Sequence, residues 1–180
     1  MTFTATVFIG TSLDGYIARP DDDIHWLTSR GEQAGDMGFF GFLESVDAVI
    51  MGRNTYEKVI GFGEENWHYG DRHVGVLSTT LPEGADPRIT VYRDLDGLVA
   101  DLDERGVKHV YPDGGRLIQS FIRAGRVDRF IISVAPVLIG AGHRLFGDLP
   151  HDIPLRLDSV SDAGGGFAQL RYTVERRQRA

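Results

Sequence analysis

The chain has 180 residues, of which 42% are hydrophobic and 25% are charged, a composition typical of a globular protein that buries a substantial core. Its formal net charge of −7 argues against nucleic acid or an anionic membrane as the main partner, and the absence of cysteine excludes disulfides and thiolate chemistry. We expect one domain over residues 1–180, located in the cytoplasm, because the sequence shows neither a signal peptide nor a membrane-spanning run.

Strands and helices alternate through the middle of the predicted structure, and strands dominate its end. Apolar runs and alternating β-formers predict strands at 3–10, 48–51, 74–78, 89–92, 107–111, 127–134 (running into 136–139), 155–157 and 168–176. Apolar side chains at three- and four-residue steps predict helices at 33–45, 54–59, 95–104 and 116–124. This order favours an α/β three-layer fold with a mostly parallel central sheet and antiparallel strands from the C-terminal part.

Two of the predicted strands end in glycine and are followed by an arginine where a helix should begin. The first corner is Gly52-Arg53, and the second is Gly114-Gly115-Arg116. Arginine in the first turn of a helix is unfavourable by roughly 0.3–1 kcal/mol, but an anion bound to the free N–H groups there would reverse the sign. Two such corners favour a ligand with more than one phosphate. The alternative for each corner is a tight turn with an exposed arginine.

Other short motifs are weaker indications of function. Gly140–Leu145 looks like a dinucleotide-binding fingerprint, but a proline interrupts the preceding strand, so we predict a loop that packs Leu145 and Phe146 onto the core. Consecutive acids such as Asp21–Asp23 are typical of a solvated loop, so we predict no metal site. No serine lies in a Gly-x-Ser-x-Gly setting, which leaves a hydrolase unsupported.

Several motifs, taken in chain order, resemble the dihydrofolate reductase superfamily. The closest branch is typified by the C-terminal reductase domain of the bacterial bifunctional deaminase-reductases of riboflavin biosynthesis. The motifs are Ser12–Ala18, Trp26, Met51–Glu57, Val76–Ser78, Asp113–Gly115 and Pro136–Phe146. The resemblance extends from residue 3 to about residue 176. It implies an NADPH-dependent reductase built on a central sheet of about eight strands.

The resemblance also implies where the cofactor would be held. Gly52, Arg53 and Thr55 would hold phosphates of NADPH, while Ser78 and Thr79 would lie near its adenosine 2′-phosphate. The cofactor-binding positions at the second corner would be Asp113, Gly114, Gly115, Arg116 and Leu117, with a cis peptide bond between the two glycines. Gly10 would border the nicotinamide.

On the substrate side, the resemblance makes Ser12 and Trp26 the predicted substrate-binding residues. Asp14 is the candidate catalytic residue, although an ordinary Asp-Gly turn accounts for it equally well. Dihydrofolate reductases carry an acid shortly after the tryptophan, and the nearest acid here, Glu32, is one position out of register. We therefore expect reduction of a C=O or C=N bond in a small polar, heterocyclic substrate, of the 5-amino-6-(5-phosphoribosylamino)uracil reductase type.

Three alternatives stay open from the sequence. They are a dihydrofolate reductase, a module that binds NADP(H) without catalysis, and a structural α/β protein that binds no ligand. The resemblance further implies a homodimer, for which the long C-terminal strand is a candidate interface.

Overall fold

The computed structural model describes residues 3–175. Its strands are β1 (Thr4–Ser12), β2 (Tyr16–Ala18), β3 (Ala48–Gly52), β4 (His73–Leu77), β5 (Ile89–Tyr92), β6 (His109–Asp113), β7 (Arg129–Ala135), β8 (His143–Arg144), β9 (Leu155–Asp162) and β10 (Ala168–Val174). Its helices are α1 (His25–Ala34), α2 (Phe39–Glu44), α3 (Arg53–Gly61), α4 (Leu95–Glu104) and α5 (Gly115–Arg123), with a short 3-10 turn at Glu64–Asn66. The end of the predicted last strand, at residue 176, lies outside the described residues.

Eight of these strands form one sheet in the order β5-β4-β3-β6-β1-β7-β10-β9. The six strands from β5 to β7 are parallel to their neighbours, while β10 is antiparallel to β7 and β9 is antiparallel to β10. The two remaining strands, β2 and β8, pair with each other. The expected fold class, a mostly parallel sheet with antiparallel C-terminal strands, is therefore confirmed.

Helices cover both faces of this sheet because the central strands are apolar on both sides. The buried run of β3 has no exposed side chain from Ala48 to Met51. On one face it meets α4 and α5, and on the other it meets α2 and α3. The helix residues that pack on the first face include Leu98, Leu102, Ile118 and Phe121; those on the second include Phe42, Leu43 and Tyr56.

The helix predicted at 33–45 is wrong, because the chain forms two helices there. Gly35 (φ 71°), Met37 (φ 50°) and Gly38 (φ 83°) adopt left-handed backbone, which no right-handed helix can contain. α1 therefore ends at Ala34, and α2 starts again at Phe39. The predicted extension of β7 into residues 136–139 is wrong too, since the strand ends at Ala135. None of the described helices is long and apolar enough to cross a membrane.

Candidate active site

The two glycine-arginine corners lie side by side at the carboxyl edge of the sheet. β3 and β6 are parallel neighbours, with Met51 paired to Asp113, so Gly52 and Gly114 follow at the same level. A Cβ atom added to Gly114 would lie 2.2 Å from the Thr55 hydroxyl oxygen. The two corners therefore adjoin, and both helix N-termini open at the edge of the sheet where open α/β folds bind their ligands.

The second corner turns through glycine backbone that no other residue adopts comfortably. Gly114 has a φ of 93°, and no cis peptide bond occurs within residues 3–175. The predicted cis Gly114–Gly115 bond is therefore wrong; the positive φ makes the turn instead. A Cβ on Gly115 would lie 2.7 Å from the Ile17 side chain of β2. Arg116 is exposed in the first turn of α5, whereas the Leu117 side chain is buried in the core.

A third turn, Ser78–Leu81, borders the first corner. The Ser78 hydroxyl oxygen accepts the backbone N–H groups of Thr80 (3.2 Å) and Leu81 (3.0 Å), so it shapes the turn. Arg53 donates from Nη1 to the Thr80 hydroxyl (2.7 Å) and from Nε to Glu57 (2.6 Å). Thr79 is exposed. Arg53 thus links the start of α3 to the turn that was predicted to lie near a ribose phosphate.

A second arginine, Arg93, holds the same turn and was missed by the sequence reasoning. Its Nη1 donates to the carbonyl oxygens of Ser78 (2.9 Å) and Leu81 (2.7 Å). Arg93 directly follows β5, whose last residue Tyr92 pairs with Leu77 of β4. The sequence signal for Arg93 is its position directly after β5, the strand next to the one that leads into the turn.

The loop that joins β4 to β5 begins with this turn, and its far end is fixed to α3 by the buried carboxylate of Asp86. Asp86 accepts hydrogen bonds from the Tyr56 hydroxyl at 3.0 Å and from three nitrogens of Arg88, the backbone N, Nε and Nη2. The Arg88 side chain holds the pKa of Asp86 down at about 2. The Arg88 guanidinium also lies 4.2 Å from the Trp67 ring. The turn that carries Thr79 is therefore anchored at both ends, and a ligand would find it already formed.

Asp14 joins the two loops that carry the first and last motifs. Its carboxylate accepts the N–H groups of Gly140 (2.8 Å) and Ile139 (3.2 Å). The Ser12 side chain, followed by these N–H groups, lowers the pKa of Asp14. Ser12 is buried and its oxygen also accepts the Tyr16 N–H at 2.9 Å. A carboxylate that these hydrogen bonds keep ionised holds the backbone of the two loops in place, and it is a poor proton donor at neutral pH.

Asp14→Asn is expected to lower the melting temperature, because one amide oxygen replaces two carboxylate oxygens and the new N–H₂ group opposes a backbone N–H. Thermal unfolding at pH 7 measures the shift, with Asp152→Asn, in an exposed loop, as the control. A variant that keeps the wild-type melting temperature and loses all activity would show that Asp14 acts on the reacting atoms instead.

The segment that resembled a dinucleotide fingerprint packs against β2. The Leu145 N–H donates to the carbonyl of Gly15 at 3.1 Å, and a Cβ on Gly142 would lie 2.0 Å from the Ala18 carbonyl oxygen. The predicted loop is right except at β8, where His143 and Arg144 pair with β2. Leu145 packs onto the core as predicted and is 1% exposed. Phe146 is 44% exposed, but its ring packs edge-on against the buried Phe130 with the ring centroids 5.9 Å apart, so it contacts the core as predicted.

α1 places Trp26 and Leu27 beside the end of β1. Trp26 is 4% exposed, and its indole N–H has no hydrogen-bond partner within the described part of the chain. A buried donor without a partner costs about 1–3 kcal/mol, and a hydrogen-bond acceptor beside it would recover that cost. A Cβ on Gly10 would lie 2.8 Å from Leu27, so the bare backbone of Gly10 is explained by this packing. Glu32 is exposed on α1.

Comparison with known families decides the relationship. Residues 4–168 match the family of the RibD C-terminal domain. The chain belongs to this family. The predicted resemblance to the riboflavin-type branch is therefore confirmed.

The chain is similar to two solved structures and to a protein of Bacillus subtilis. A crystal structure from Shewanella sp. PV-4, named for riboflavin biosynthesis, is 34% identical with a TM-score of 0.88, over 97% of this chain and all of that one (100%). Bacillus subtilis (strain 168) YwjB, described as uncharacterized, is 33% identical over 92% of this chain and 95% of its own length. The Thermotoga maritima diaminohydroxyphosphoribosylaminopyrimidine deaminase/5-amino-6-(5-phosphoribosylamino)uracil reductase shares the fold, at 15% identity and a TM-score of 0.72, over 96% of this chain and 57% of that one.

The protein also has a weakly acidic carboxyl group at its second corner. Burial raises the pKa of Asp113 to about 6, and the Gly114 N–H and Tyr111 hydroxyl offset only part of that rise. Burial, reinforced by the Asp113 charge, raises the pKa of Tyr69 and of Tyr111. The sequence signal was an acid that ends a buried strand, but its pKa depends on packing. Asp113 is the described carboxyl group best suited to donate a proton here.

Proposed function

We propose that the protein is an NADPH-dependent reductase that transfers a hydride to a C=O or C=N bond of a small polar heterocycle. The observation that carries this proposal is the contact between the two glycine-arginine corners, Thr55 against Gly114, at the carboxyl edge of the sheet. Two adjoining helix N-termini offer unpaired N–H groups to a pyrophosphate. Membership of the RibD C-terminal domain family supports the same activity.

The residues at this edge fit a dinucleotide phosphate. Gly114 and Gly115 present backbone without side chains, and Thr55 adds a hydroxyl between the corners. Arg53 and Arg93 meet at the Ser78–Leu81 turn, where a 2′-phosphate of the adenosine ribose would gain two guanidinium groups. When bound, NADPH supplies the hydride, and the protein fixes its position against the substrate.

Arg53→Gln and Arg93→Gln are expected to weaken NADPH binding by roughly 10–100-fold each while leaving NADH binding nearly unchanged, because charge-assisted bonds to a phosphate contribute about 1.5–3 kcal/mol. Fluorescence titration with both nucleotides gives the ratio of the two dissociation constants. Arg123→Gln, on the exposed end of α5, is the control. Equal binding of NADPH and NADH by the unsubstituted protein would contradict the 2′-phosphate assignment.

We place the substrate on the side of the sheet that carries Asp113 and α1. Asp113 is proposed to donate the proton that the reduced atom needs, and the unpartnered Trp26 N–H to donate to a substrate oxygen.

Oxidation of NADPH followed at 340 nm, with aminopyrimidine, pterin and dicarbonyl substrates in parallel, identifies the acceptor. Turnover of dihydrofolate with tight methotrexate binding would favour the dihydrofolate reductase alternative; cofactor binding without turnover would favour the non-catalytic module.

We also propose that two copies associate through one face of the β9–β10 hairpin. A bulge at Asp158 shifts the register, which keeps Leu155, Leu157 and Val160 on the same face of the edge strand although their spacing is uneven. All three side chains are at least 40% exposed. On β7 and β10 the same face of the sheet is apolar and is covered by α5, and on β9 it extends beyond that cover. Two copies related by a twofold axis would bury this face of both hairpins against each other.

Leu157→Asp is expected to convert the proposed dimer to a monomer, because a carboxylate would be desolvated in the middle of the interface. Light scattering coupled to size-exclusion chromatography measures the mass. The matched control is Ser161→Asp, on the same strand but on its other face. A wild-type protein that is monomeric at micromolar concentration would contradict the proposal.

A further inference from the structure

A groove of about 570 Å³ lies at the opposite edge of the sheet from the glycine-arginine corners. Its wall includes Thr6, His109 and Arg129, which stand near the amino-terminal ends of β1, β6 and β7. One side is formed by α2, and the other by the β9–β10 hairpin. Its volume falls within the range of small-molecule sites. We name it the arginine groove.

Three arginines line this groove in a protein whose net charge is negative. Arg129 of β7 is paired across the sheet with Thr173 of β10, which is paired with Arg156 of β9. Since strands are about 4.8 Å apart, the backbones of the two arginines are roughly 10 Å apart. Arg171 lies two positions from Thr173 on the same strand. Like charges this close repel each other, so they favour an anion between them.

The charges that face these arginines within the groove do not balance them. Of the described residues that line it, only Asp158 has a carboxylate. Asp158 accepts the Thr173 hydroxyl at 2.6 Å and pairs with Arg156 at 3.2 Å. Both ring nitrogens of His109 are engaged, at 2.8 Å from the Ser45 carbonyl oxygen and 2.8 Å from the Thr6 hydroxyl. Three guanidinium groups therefore share one carboxylate within the groove, and Arg171 also donates from Nη2 to the amide oxygen of Gln169 at 2.9 Å.

A glycine in α2 leaves one wall of the groove without a side chain. Gly41 lies inside the helix and lines the groove, and a Cβ there would meet no atom within 4 Å. Glycine inside a helix is less favourable than alanine by roughly 1 kcal/mol, and no packing in the described chain requires it. An alanine methyl group would project into the groove, so the glycine keeps that space open.

We propose that the arginine groove binds a small anion with two or more negative charges, a phosphate or a carboxylate. The planar guanidinium groups of Arg129 and Arg171 recognise such oxygens in pairs, while Arg156 stays with Asp158. Gly41 gives the anion access to the floor of the groove. The arginine groove is separate from the proposed nucleotide site, and this proposal does not depend on the reductase function.

Titration calorimetry of the full chain with inorganic pyrophosphate and with citrate, at constant ionic strength, tests the proposal. Arg129→Gln and Arg171→Gln are each expected to weaken binding at least tenfold. Arg123→Gln, an exposed arginine that does not line the groove, is expected to leave it unchanged. Gly41→Ala should weaken binding while raising the melting temperature by roughly 2–4 °C.

Three results would overturn the proposal. The first is that neither anion binds the wild-type protein. The second is that binding is lost in Arg53→Gln and retained in Arg129→Gln, which would place the anion at the glycine-arginine corners. The third is that Gly41→Ala or Arg129→Gln changes the mass measured by light scattering, which would make the groove an interface between copies. Tighter binding of pyrophosphate than citrate would assign a phosphate ligand, and the reverse a carboxylate.

Discussion

Gly114→Ala is expected to weaken nucleotide binding by more than a hundredfold and to destabilise the fold. Gly114 has φ 93° and ψ 137°, a region that only glycine enters readily, so any side chain there adds about 1–3 kcal/mol of strain. The new Cβ would also lie 2.2 Å from the Thr55 hydroxyl, which forces the two corners apart. Because the proposed site is the junction of these corners, their separation removes it.

The matched control for this variant is Gly125→Ala. Gly125 also has a positive φ, of 65°, but a Cβ there would meet no atom within 4 Å. It therefore reports the backbone strain without the collision. Thermal unfolding and NADPH titration of both variants separate the two effects. If Gly114→Ala lost stability but bound NADPH as tightly as Gly125→Ala, the junction would not be the nucleotide site.

The elements that the sequence predicts correctly are those set by local signals. The apolar run at 48–51 is long and uninterrupted, so its burial as β3 was readable. The two corners were readable because glycine and arginine stand in fixed places after a strand, and neighbouring parallel strands end at the same edge. The helix at 33–45 failed because three residues between Gly35 and Gly38 enter left-handed backbone, which side-chain periodicity does not report.

The parts of the site that the sequence did not predict depend on partners far along the chain. Asp14 is fixed by N–H groups 125 and 126 positions away, so no local pattern reveals that its carboxylate is already engaged. Arg93 acts through carbonyl oxygens 12 and 15 positions earlier. The raised pKa of Asp113 comes from its surroundings and not from its neighbours in sequence. Local motifs therefore located the site, and tertiary packing assigned its chemistry.

Asp113→Asn is expected to lower kcat by about 10²–10⁴-fold, the usual contribution of a general acid. Asparagine keeps the size of the side chain and its hydrogen-bonding capacity but has no proton to donate. In the wild-type protein, activity should fall as the pH rises through about 6, since the carboxyl loses its proton there. The residual activity of the variant should not fall as the pH rises through about 6. Asp71→Asn, an exposed aspartate, is the control.

Stability gives a second readout, because Asp113→Asn should raise the free energy of unfolding at pH 8 while it lowers the activity. The pKa of Asp113 is raised on folding, from 3.8 to about 6, so its favourable contribution is complete below pH 3.8 and is lost as the pH rises through about 6. At pH 8 the folded wild-type protein holds a poorly solvated charge that Asp113→Asn removes. The variant should therefore have the higher free energy of unfolding at pH 8, on the order of 1–3 kcal/mol. Urea unfolding at pH 5 and pH 8 measures this difference.

The pair of readouts distinguishes a proton donor from a structural carboxylate. A structural carboxylate that accepts the Gly114 N–H would, when neutralised, destabilise the corner and reduce activity together. A proton donor that packing keeps partly protonated would instead gain stability at pH 8 and lose turnover. If Asp113→Asn were less stable than the wild-type protein at pH 8, Asp113 would be a compensated anion there, and the proton would have to come from water or another group.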